Sequence, residues 1–514
     1  MIHPTEQRFI ELVNGDLVKD NSLVDAGARP DGRPAARVIP LLYRMALDTE
    51  TPLTVFRKLV GSGPGYLLES LTGGEPVGRY SFIGADPRRL LLRHRGKTTI
   101  HAGGQAEPGP DNPFEALRRF AAGFQVVEGG EVLPRFIGGA VGYLAYDAVR
   151  HVAPLPPAQP DDLELPEACF LDCRLIAVID HSRHHLVLVA PVLVEEDTDL
   201  HQAYQEGRRR LDAARAALAQ PLNMTPMALD NPRRPVDYTS PVDQARFEAM
   251  VEEARRHIAA GSVAQVVVSR RMEAATTVDP FDLYRAVRVT SPSPYMFFFQ
   301  PKGPVEFALV GASPEMLVRV EDGQVTVRPL AGTRPRGRDE DEDQRLAAEL
   351  LADPKEQKEH AMLVDLGRED LQQVCSPDSI HVDTYMTVER HSHVMHLVSR
   401  ITGRLRPGCD AVDALIGSFP AGTLSGTPRH EAMTIIDRLE PVPRGPYGGA
   451  FGYLSFSGNL DTCIIIRTMV TTPGRVLLQT GAGVVADSVP ANEFIETENK
   501  ARAALTALAL AQSQ

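Results

Sequence analysis

Strand pairs and long helices follow one another along this chain without a regular strand–helix–strand rhythm, and this order limits the folds open to it. Residues 174–180 and 185–194 are apolar runs on either side of a polar turn, which predicts two paired strands. Residues 316–329 predict a hairpin that turns at Asp322 and Gly323. A doubly wound sheet would place a helix between successive strands. The pattern therefore favours an α+β fold with largely antiparallel sheets packed with helices.

Two domains are expected from the length of the chain, 514 residues, because a single core rarely serves so many residues. Residues 220–242 are rich in proline and asparagine and are the best linker candidate. The predicted division is an N-terminal leader over 1–37, a first domain over 38–219, the linker, and a second domain over 243–514.

A glycine-rich heptapeptide occurs once in each predicted domain. Residues 138–144 are Gly-Gly-Ala-Val-Gly-Tyr-Leu, and residues 448–454 are Gly-Gly-Ala-Phe-Gly-Tyr-Leu. Glycine inside a strand often marks the close approach of another backbone. Each domain is therefore expected to hold a glycine-rich strand at a point of close backbone contact.

The composition excludes several classes of partner. A net charge of −13 argues against a nucleic-acid-binding surface, and the chain lacks the apolar run of about 18 residues that a membrane span needs. The five cysteines are scattered without metal-ligand spacing and are expected to be reduced thiols. The N-terminus has no secretory or transit pattern. These features predict a cytoplasmic protein without nucleic-acid or membrane partners.

Two Glu-x-x-Glu pairs in the last third of the chain predict a metal site. Glu356 and Glu359 lie in one predicted helix, and Glu493 and Glu496 lie in another. Residues three apart on a helix share a face, so each helix would present two carboxylates together. The second helix follows the segment 481–483, Gly-Ala-Gly, interpreted as a loop whose backbone N–H groups receive an anion. Carboxylates near such a loop favour Mg²⁺ that bridges the protein and an anionic substrate.

Each of these features also has a simpler interpretation. Taken alone, the helix around Glu356 is a solvated charged face, and only its pairing with the second helix favours metal binding. His396 lies between apolar neighbours, where a hydrogen-bonded core histidine is commoner than a general acid or base. Thr423 is explained equally well by a helix cap. The arginine-rich segment 328–338 contains a tight Pro-x-x-Gly-Thr turn, which favours an anion-contacting loop over a plain surface.

The order of several segments resembles the chorismate-utilising enzymes, and most closely their anthranilate-forming members. These segments include AAGSVAQVVVSRR, SPSPYMFF, GASPEML, RPLAGTRPRG, KEQKEHAMLVDLGRED, FPAGTLSGTPR and QTGAGVVADSVPANEFIETENKA. The similarity is dense over about 240–505 and continues through 65–84 and 138–147. So many segments in one order argue against a chance similarity.

The resemblance implies two intertwined domains, the first regulatory and partner-binding and the second catalytic. It implies Mg²⁺-dependent attack of ammonia on chorismate as the 4-hydroxyl leaves. Loss of pyruvate then gives anthranilate, the first committed step of tryptophan biosynthesis. Glu359 and Glu496 match the metal ligands, with Glu356 and Glu493 nearby. A dianionic substrate meets acidic ligands only if a cation stands between them, which is the physical reason for the metal.

The resemblance also implies which residues line the pocket. Gln265, His396 and Thr423 match catalytic positions, His396 being implicated in proton transfer during pyruvate loss. A guanidinium binds a carboxylate through two parallel hydrogen bonds, which suits Arg467 to the enolpyruvyl carboxylate. The positions that match substrate-binding residues are Gly332, Thr333, Tyr447, Arg467, Gly481, Ala482, Gly483 and Lys500.

Two positions separate the members of this family. Gln265 stands where isochorismate-forming members carry a lysine that activates water, and glutamine is a poor base. Ala331 stands where aminodeoxychorismate synthases carry a lysine that forms a covalent adduct. Both residues favour ammonia as the nucleophile and anthranilate as the product. An isochorismate, salicylate or aminodeoxychorismate synthase is the alternative enzyme, and a non-catalytic amino-acid-binding regulatory subunit is the alternative from another class.

Two further segments resemble a feedback site for L-tryptophan. Glu69 and Ser70 would hold the amino group and nearby backbone of tryptophan. Tyr295 and Met296, which follow Pro294, would line the indole slot. Taken alone, the same segments are equally well explained as an ordinary strand beside a hydrophobic core.

A glutaminase half is not expected in this chain, because no cysteine lies in the glycine-rich elbow that such a domain needs. The resemblance therefore implies a separate glutamine amidotransferase subunit, in a heterotetramer of two large and two small subunits, with free ammonia acting without it. Several positions depart from the usual pattern of the family. Ala264 replaces an aromatic residue, Ser291 an asparagine and Thr427 an alanine, and residues Glu369 and Gln372 are also altered.

Overall fold

The computed structural model describes residues 2–15, 36–71, 78–127, 129–130, 133–156, 159–229, 235–390 and 394–514. The helices are α1 (Glu6–Asn14), α2 (Pro52–Leu59), α3 (Pro113–Ala121), α4 (Leu200–Leu218), α5 (Gln244–Ala259), α6 (Pro280–Thr290), α7 (Glu340–Ala352), α8 (Pro354–Gln372), α9 (Ala411–Ser418), α10 (Gly422–Ser425), α11 (Arg429–Leu439) and α12 (Pro490–Gln512). The strands are β1 (Ile2–His3), β2 (Ala36–Ala46), β3 (Gly65–Glu69), β4 (Tyr80–His94), β5 (Lys97–Ala102), β6 (Gln105–Pro108), β7 (Phe124–Val126), β8 (Gly139–Leu144), β9 (Ala168–Asp180), β10 (His185–Val194), β11 (Gln265–Ala275), β12 (Tyr295–Gln300), β13 (Ala308–Ser313), β14 (Met316–Glu321), β15 (Gln324–Val327), β16 (Leu330–Pro335), β17 (His381–Arg390), β18 (Val394–Arg404), β19 (Gly426–Thr427), β20 (Ala450–Ser455), β21 (Leu460–Ile464), β22 (Thr468–Thr472) and β23 (Arg475–Val484).

Two series of antiparallel strands diverge from β9. One runs through β8, β20, β21, β14 and β15 to β18. The other runs through β4, β3, β12, β13, β22, β23 and β11 to β19. The rings of Phe297 on β12 and Phe451 on β20 stack with centroids 3.9 Å apart, so the two series pack against each other through an aromatic core. The α+β fold with largely antiparallel sheets is confirmed.

The two glycine-rich heptapeptides pair with each other. β8 and β20 run antiparallel, with Gly142 opposite Gly452. A Cβ at Gly142 would lie 1.9 Å from a carbonyl oxygen of β9, and a Cβ at Gly452 would lie 2.0 Å from one of β21. The expected close backbone contact is confirmed. The two heptapeptides thereby join the N-terminal and C-terminal halves of the chain, as does the pairing of β3 with β12.

Several local predictions are confirmed. β9 and β10 pair as expected, and β14 and β15 form a hairpin whose turn residues, Asp322 and Gly323, have φ of +49° and +75°. The predicted division into domains stays a prediction. Of the predicted leader, residues 1 and 16–35 lie outside the described residues, while Phe9 and Leu12 of α1 are buried in a core. Among the described helices, none combines the length and the apolar run that crossing a membrane requires.

Candidate active site

The predicted glycine loop is part of a strand. The segment 481–483 lies in β23 and pairs with β11 through both glycines. The loop interpretation is wrong because the antiparallel register continues as far as Val484. β22 pairs with β23 only as far as Leu478, so beyond that residue one edge of β23 has no partner among the described strands. Backbone groups on that edge are available to other partners.

One face of β11 and β23 forms the floor of the candidate site. Gly481 and Gly483 share this face with Gln265, because side chains alternate between the faces of paired strands. A Cβ at Gly481 would lie 2.8 Å from the Tyr447 hydroxyl, and a Cβ at Gly483 would lie 2.9 Å from Nε2 of Gln265. Lys500 of α12 donates a hydrogen bond to the carbonyl of Gly481 at 2.9 Å. The glycines therefore leave the floor open between residues predicted to be catalytic or substrate-binding.

The carboxylates of helices α8 and α12 interact electrostatically. Burial raises the pKa of Glu359 on α8, and the charges of Glu356 and then Glu496 on α12 raise it further. Burial also raises the pKa of Glu493, and Glu496 adds to this effect, whereas Lys355 of α8 acts against it. The carboxylates of α8 and α12 are thus close enough to repel one another.

The chemistry of these side chains fits Mg²⁺. In the described part of the chain, no three His, Cys, Asp or Glu side chains are grouped closely enough to enclose a metal ion by themselves. Mg²⁺ is commonly held by one or two carboxylates and completed by substrate and water, so a full protein cage is not required. A divalent cation would also relieve the repulsion that raises the pKa of Glu359. Lys500 Nζ lies 2.6 Å from Oε1 of Glu496, so positive charge already stands beside this carboxylate.

Glu315, directly before β14, is a site residue that was not predicted from the sequence. Its carboxylate accepts a hydrogen bond from the Thr423 hydroxyl at 3.1 Å. Burial raises the pKa of Glu315 to about 7, even though this hydrogen bond and the charges of Lys500 and Arg467 act in the opposite direction. Glu315 belongs to the segment Gly-Ala-Ser-Pro-Glu that carries part of the resemblance, which was the one signal for it. The structure therefore brings Thr423, Arg467 and Lys500 together around a half-buried acid.

Arg467 lies between β21 and β22 in a strained conformation. Its φ of +49° is uncommon for a residue with a side chain and costs about 1–3 kcal/mol. Its side chain is exposed and forms no ion pair with the described residues. An exposed arginine without an acidic partner, close enough to Glu315 to affect its pKa, is suited to an anionic ligand.

His396 is held by the strand that carries Gly332 and Thr333. The predicted turn at these residues is wrong, because they lie in β16, which pairs with β18 through a bulge between Ala331 and Thr333. Gly332 has φ of +61°, and this bulge brings its carbonyl to 3.0 Å from Nδ1 of the buried His396. Nδ1 also lies 3.1 Å from Oγ1 of Thr333. A Cβ at Gly332 would lie 3.0 Å from Oε2 of Glu356, so His396 is near the acidic helix α8.

A buried ion pair connects three segments of the site. Glu440 accepts a hydrogen bond from the backbone N–H of Ser269 at 2.7 Å and from Nη2 of Arg444 at 2.6 Å. Arg444 also donates to the carbonyl of Leu424 at 2.6 Å and to a carbonyl of β11 at 2.7 Å. Its guanidinium carbon lies 5.7 Å from the centre of the Tyr447 ring. Glu440 and Arg444 are 4% and 3% exposed. Their contacts fix the relative positions of three parts of the site: the floor, the residue of α10 next to Thr423, and the Tyr447 ring.

The two segments predicted to bind tryptophan are neighbours, because β3 pairs with β12 and Glu69 lies opposite Met296. Glu69 is buried and accepts a hydrogen bond from the Tyr284 hydroxyl at 2.6 Å. Arg288 forms an ion pair with the same carboxylate at 3.1 Å. The carboxylate of Glu69 is therefore already bonded within the protein.

Ser70 and Tyr295 occupy the same region. The Ser70 hydroxyl is shielded from solvent and forms no hydrogen bond with the described residues. The Tyr295 hydroxyl donates to Asp461 at 2.9 Å, and Pro294 is buried. Within the described part of the chain, Ser70 is thus the predicted tryptophan ligand whose polar side-chain atom has no partner.

Comparison with known proteins decides the family. The model of the chorismate binding enzyme family matches residues 64–506. The chain belongs to the chorismate-binding enzymes. Anthranilate synthase component 1 of Mycobacterium tuberculosis (strain ATCC 25618 / H37Rv) is 45% identical over 488 residues, 93% of this chain and 94% of that protein. The protein of the same name from Pseudomonas putida is 44% identical over 493 residues, 92% of this chain and 96% of its own length.

Solved structures of chorismate-binding enzymes agree with the fold. Anthranilate synthase component I from Streptococcus pneumoniae TIGR4 superposes with a TM-score of 0.72 at 35% identity, covering 84% of this chain and 93% of that one. The menaquinone-specific isochorismate synthase from Escherichia coli superposes with a TM-score of 0.67 at 20% identity, covering 98% and 99%. At 20% identity, the similarity to the isochorismate synthase shows a shared fold and nothing more. The family expected from the order of the sequence segments is confirmed.

Proposed function

We propose that this chorismate-binding enzyme converts chorismate and ammonia into anthranilate, pyruvate and water, as the chorismate-converting subunit of an anthranilate synthase. The observation that supports this most is its similarity to anthranilate synthase component 1 proteins over more than nine-tenths of the chain. The buried Gln265 agrees with it, because this position supplies no strong base to activate water.

The substrate is held between the glycine floor and the acidic helices. Arg467 and Lys500 are the cations available to the substrate carboxylates, and Tyr447 lies against Gly481 at the floor. Glu359 and Glu496 would hold Mg²⁺, with Glu356 and Glu493 nearby. When bound, the ion would neutralise the ring carboxylate and so allow an anionic substrate beside four acidic residues.

Two groups of the chain can transfer the protons of the reaction. Glu315 has a pKa of about 7, so at neutral pH a large fraction of it is protonated and can donate a proton to the leaving 4-hydroxyl. His396, whose Nδ1 lies 3.0 Å from the carbonyl oxygen of Gly332, can carry the proton that moves during pyruvate loss.

The reaction is tested by mixing the purified chain with chorismate, Mg²⁺ and ammonium chloride and recording anthranilate fluorescence. We expect product only when ammonium is present. Product formed equally well without ammonium would contradict the proposal and favour an isochorismate or salicylate synthase.

Replacing Glu359 by glutamine tests the metal assignment. The variant keeps the size of the side chain but removes a charged ligand, so kcat/KM for chorismate should fall on the order of 100-fold or more. The Mg²⁺ concentration for half-maximal rate should rise. The matched control is Glu369→Gln, an exposed residue on the same helix, which should behave like the wild type. Unchanged turnover by Glu359→Gln would show that α8 does not supply the ligand.

Glutamine-dependent activity would use a separate amidotransferase subunit, and two copies of each chain would form a heterotetramer. The name of the component 1 relatives supports a second component. Its amidotransferase activity and the heterotetramer rest on the family resemblance alone. The cytoplasm is the expected compartment, which agrees with five cysteines that are all free.

Replacing Ser70 by phenylalanine should relieve inhibition by L-tryptophan while most of the uninhibited activity stays. The hydroxyl of Ser70 has no hydrogen-bond partner among the described residues and would bond to the inhibitor, and a phenyl group would fill the space beside it. Loss of such a hydrogen bond to a charged ligand, with added steric conflict, should raise the inhibition constant at least about tenfold. Ser70→Ala removes the hydroxyl without bulk and should have a smaller effect. A wild-type rate that tryptophan does not change would contradict the feedback site.

A further inference from the structure

All four arginines of the segment 328–338 pair with acidic side chains of this chain. The ion pairs are Arg328 with Glu389, Arg334 with Asp353, Arg336 with Asp343 and Arg338 with Glu342. Arg334 differs from the other three, because its partner begins α8, the helix that carries the proposed metal ligand Glu359. Its contacts therefore bear on the placement of that ligand.

Arg334 reaches from β16 to the first turn of α8. Its Nη2 donates a hydrogen bond to Oδ2 of Asp353 at 2.8 Å, and its Nη1 donates to Oε1 of Glu356 at 3.3 Å. Nη1 also donates to the backbone carbonyl of Thr333 at 3.0 Å. The other carboxylate oxygen of Asp353 accepts from the backbone N–H of Lys355 at 3.0 Å and so caps the helix. One guanidinium thus holds both the cap and the first glutamate of α8 against β16.

The strand that carries Arg334 also holds His396. Thr333 lies opposite His396 in the pairing of β16 with β18, and its Oγ1 is 3.1 Å from Nδ1 of the imidazole. A second contact fixes α8 to β18, since Nε2 of the buried His360 lies 2.6 Å from Oγ of Ser399. Glu359 lies between these two contacts along α8. The contacts together determine where its carboxylate stands relative to His396.

We propose that Arg334 is a positioning residue, which holds α8 on β16 and thereby sets the distance between Glu359 and His396. This inference rests on the proposed function, because it takes Glu359 as a ligand of Mg²⁺. The role depends on the reach of the guanidinium and not on its charge alone. A positive charge beside the carboxylates would by itself weaken the binding of a cation, whereas hydrogen bonds that orient the ligands strengthen it. Removal of Arg334 therefore has opposite expected effects under these two explanations.

Hydrogen–deuterium exchange of the metal-free protein tests this contact without the reaction. Arg334→Met removes hydrogen bonds to two carboxylates, so the backbone amides of residues 357–360 should exchange on the order of ten times faster. Helix α5 should exchange as in the wild type. The matched control is Arg345→Met, because Arg345 is exposed and pairs with Glu349 of its own helix, α7, at 2.6 Å. This control should leave the exchange of residues 357–360 unchanged. Unchanged exchange there in Arg334→Met, or equal acceleration in α5, would overturn the proposal.

A titration with Mg²⁺ distinguishes reach from charge. The Mg²⁺ concentration for half-maximal anthranilate formation should rise about 10- to 100-fold in Arg334→Met. Arg334→Lys keeps the charge but loses the fork that reaches both carboxylates, so its value should also stay well above that of the wild type. A lower Mg²⁺ requirement in Arg334→Met, or a wild-type value in Arg334→Lys, would overturn the proposal. A wild-type protein that forms no anthranilate would instead contradict the proposed function, while the exchange experiment would still test the contact.

Discussion

Glutamine in place of Glu315 is expected to lower kcat by about 10²- to 10⁴-fold, because it removes the proposed proton donor without changing the shape of the site. The wild-type kcat should fall as the pH rises through about 7, where the buried carboxyl loses its proton. The residual activity of Glu315→Gln should lack this decrease. Initial rates of anthranilate formation between pH 5.5 and 9, on the order of one measurement per half unit, provide the check.

Thr423→Val is the control for this assignment. The hydrogen bond from Thr423 lowers the pKa of Glu315, so its removal should move the decrease in kcat to higher pH with a much smaller loss of rate. A Glu315→Gln enzyme with wild-type kcat, or an alkaline decrease that persists in it, would exclude Glu315 as the acid.

The same carboxyl makes folding stability depend on pH. Its pKa is about 7 in the folded protein and about 4.3 in an unfolded chain, so folding favours the protonated form. The stability it contributes is fully present below the unfolded value and is lost as the pH rises through about 7. Glu315→Gln does not titrate, so its unfolding temperature relative to the wild type should be higher at pH 8 than at pH 5. The same difference at both pH values would contradict the burial of this charge.

Methionine in place of Arg444 is expected to lower the free energy of unfolding by about 3–5 kcal/mol, because it leaves the buried carboxylate of Glu440 without its cation. The same change frees the carbonyl of Leu424 next to Thr423, so kcat should fall as well. Urea unfolding followed by circular dichroism measures the stability. The matched control is Arg438→Met, an exposed arginine on α11, which should change stability by less than about 0.5 kcal/mol.

The double variant Arg444→Met with Glu440→Gln distinguishes two effects of losing Arg444: an unpaired buried charge on Glu440, and a Leu424 carbonyl that is no longer held in place. Glutamine keeps an oxygen for the backbone N–H of Ser269 but carries no charge, so much of the lost stability should return. The activity should stay low, because nothing then holds the carbonyl of Leu424. Full recovery of both properties would show that the ion pair does not position the site.

Local structure could be predicted from the sequence wherever neighbouring residues determine it. Asp322 and Gly323 define a hairpin turn by their own backbone preferences, and the apolar stripe of α5 is visible in its spacing. The Gly-Ala-Gly segment 481–483 carries an ambiguous local signal, since it ends the strand-like run 475–483 while its glycines are also common in loops. Its strand geometry depends on pairing with β11, which lies about 200 residues earlier in the chain.

Part of the acidic site could also be predicted, because neighbouring residues on one helix determine it. The (i, i+3) spacing is enough to place Glu356 with Glu359 on one helix face. Glu315 has no such partner in the sequence, and its raised pKa comes from burial by distant segments.

The pairing of β8 with β20 has a consequence for synthesis on the ribosome. β8 leaves the ribosome about 300 residues before its partner, which corresponds to on the order of 15–60 s of translation. During that interval the edge of β8 that β20 later covers has no neighbour and is open to other nascent chains. Expression yield should therefore depend on chaperones that shield this edge until the last fifth of the polypeptide has emerged.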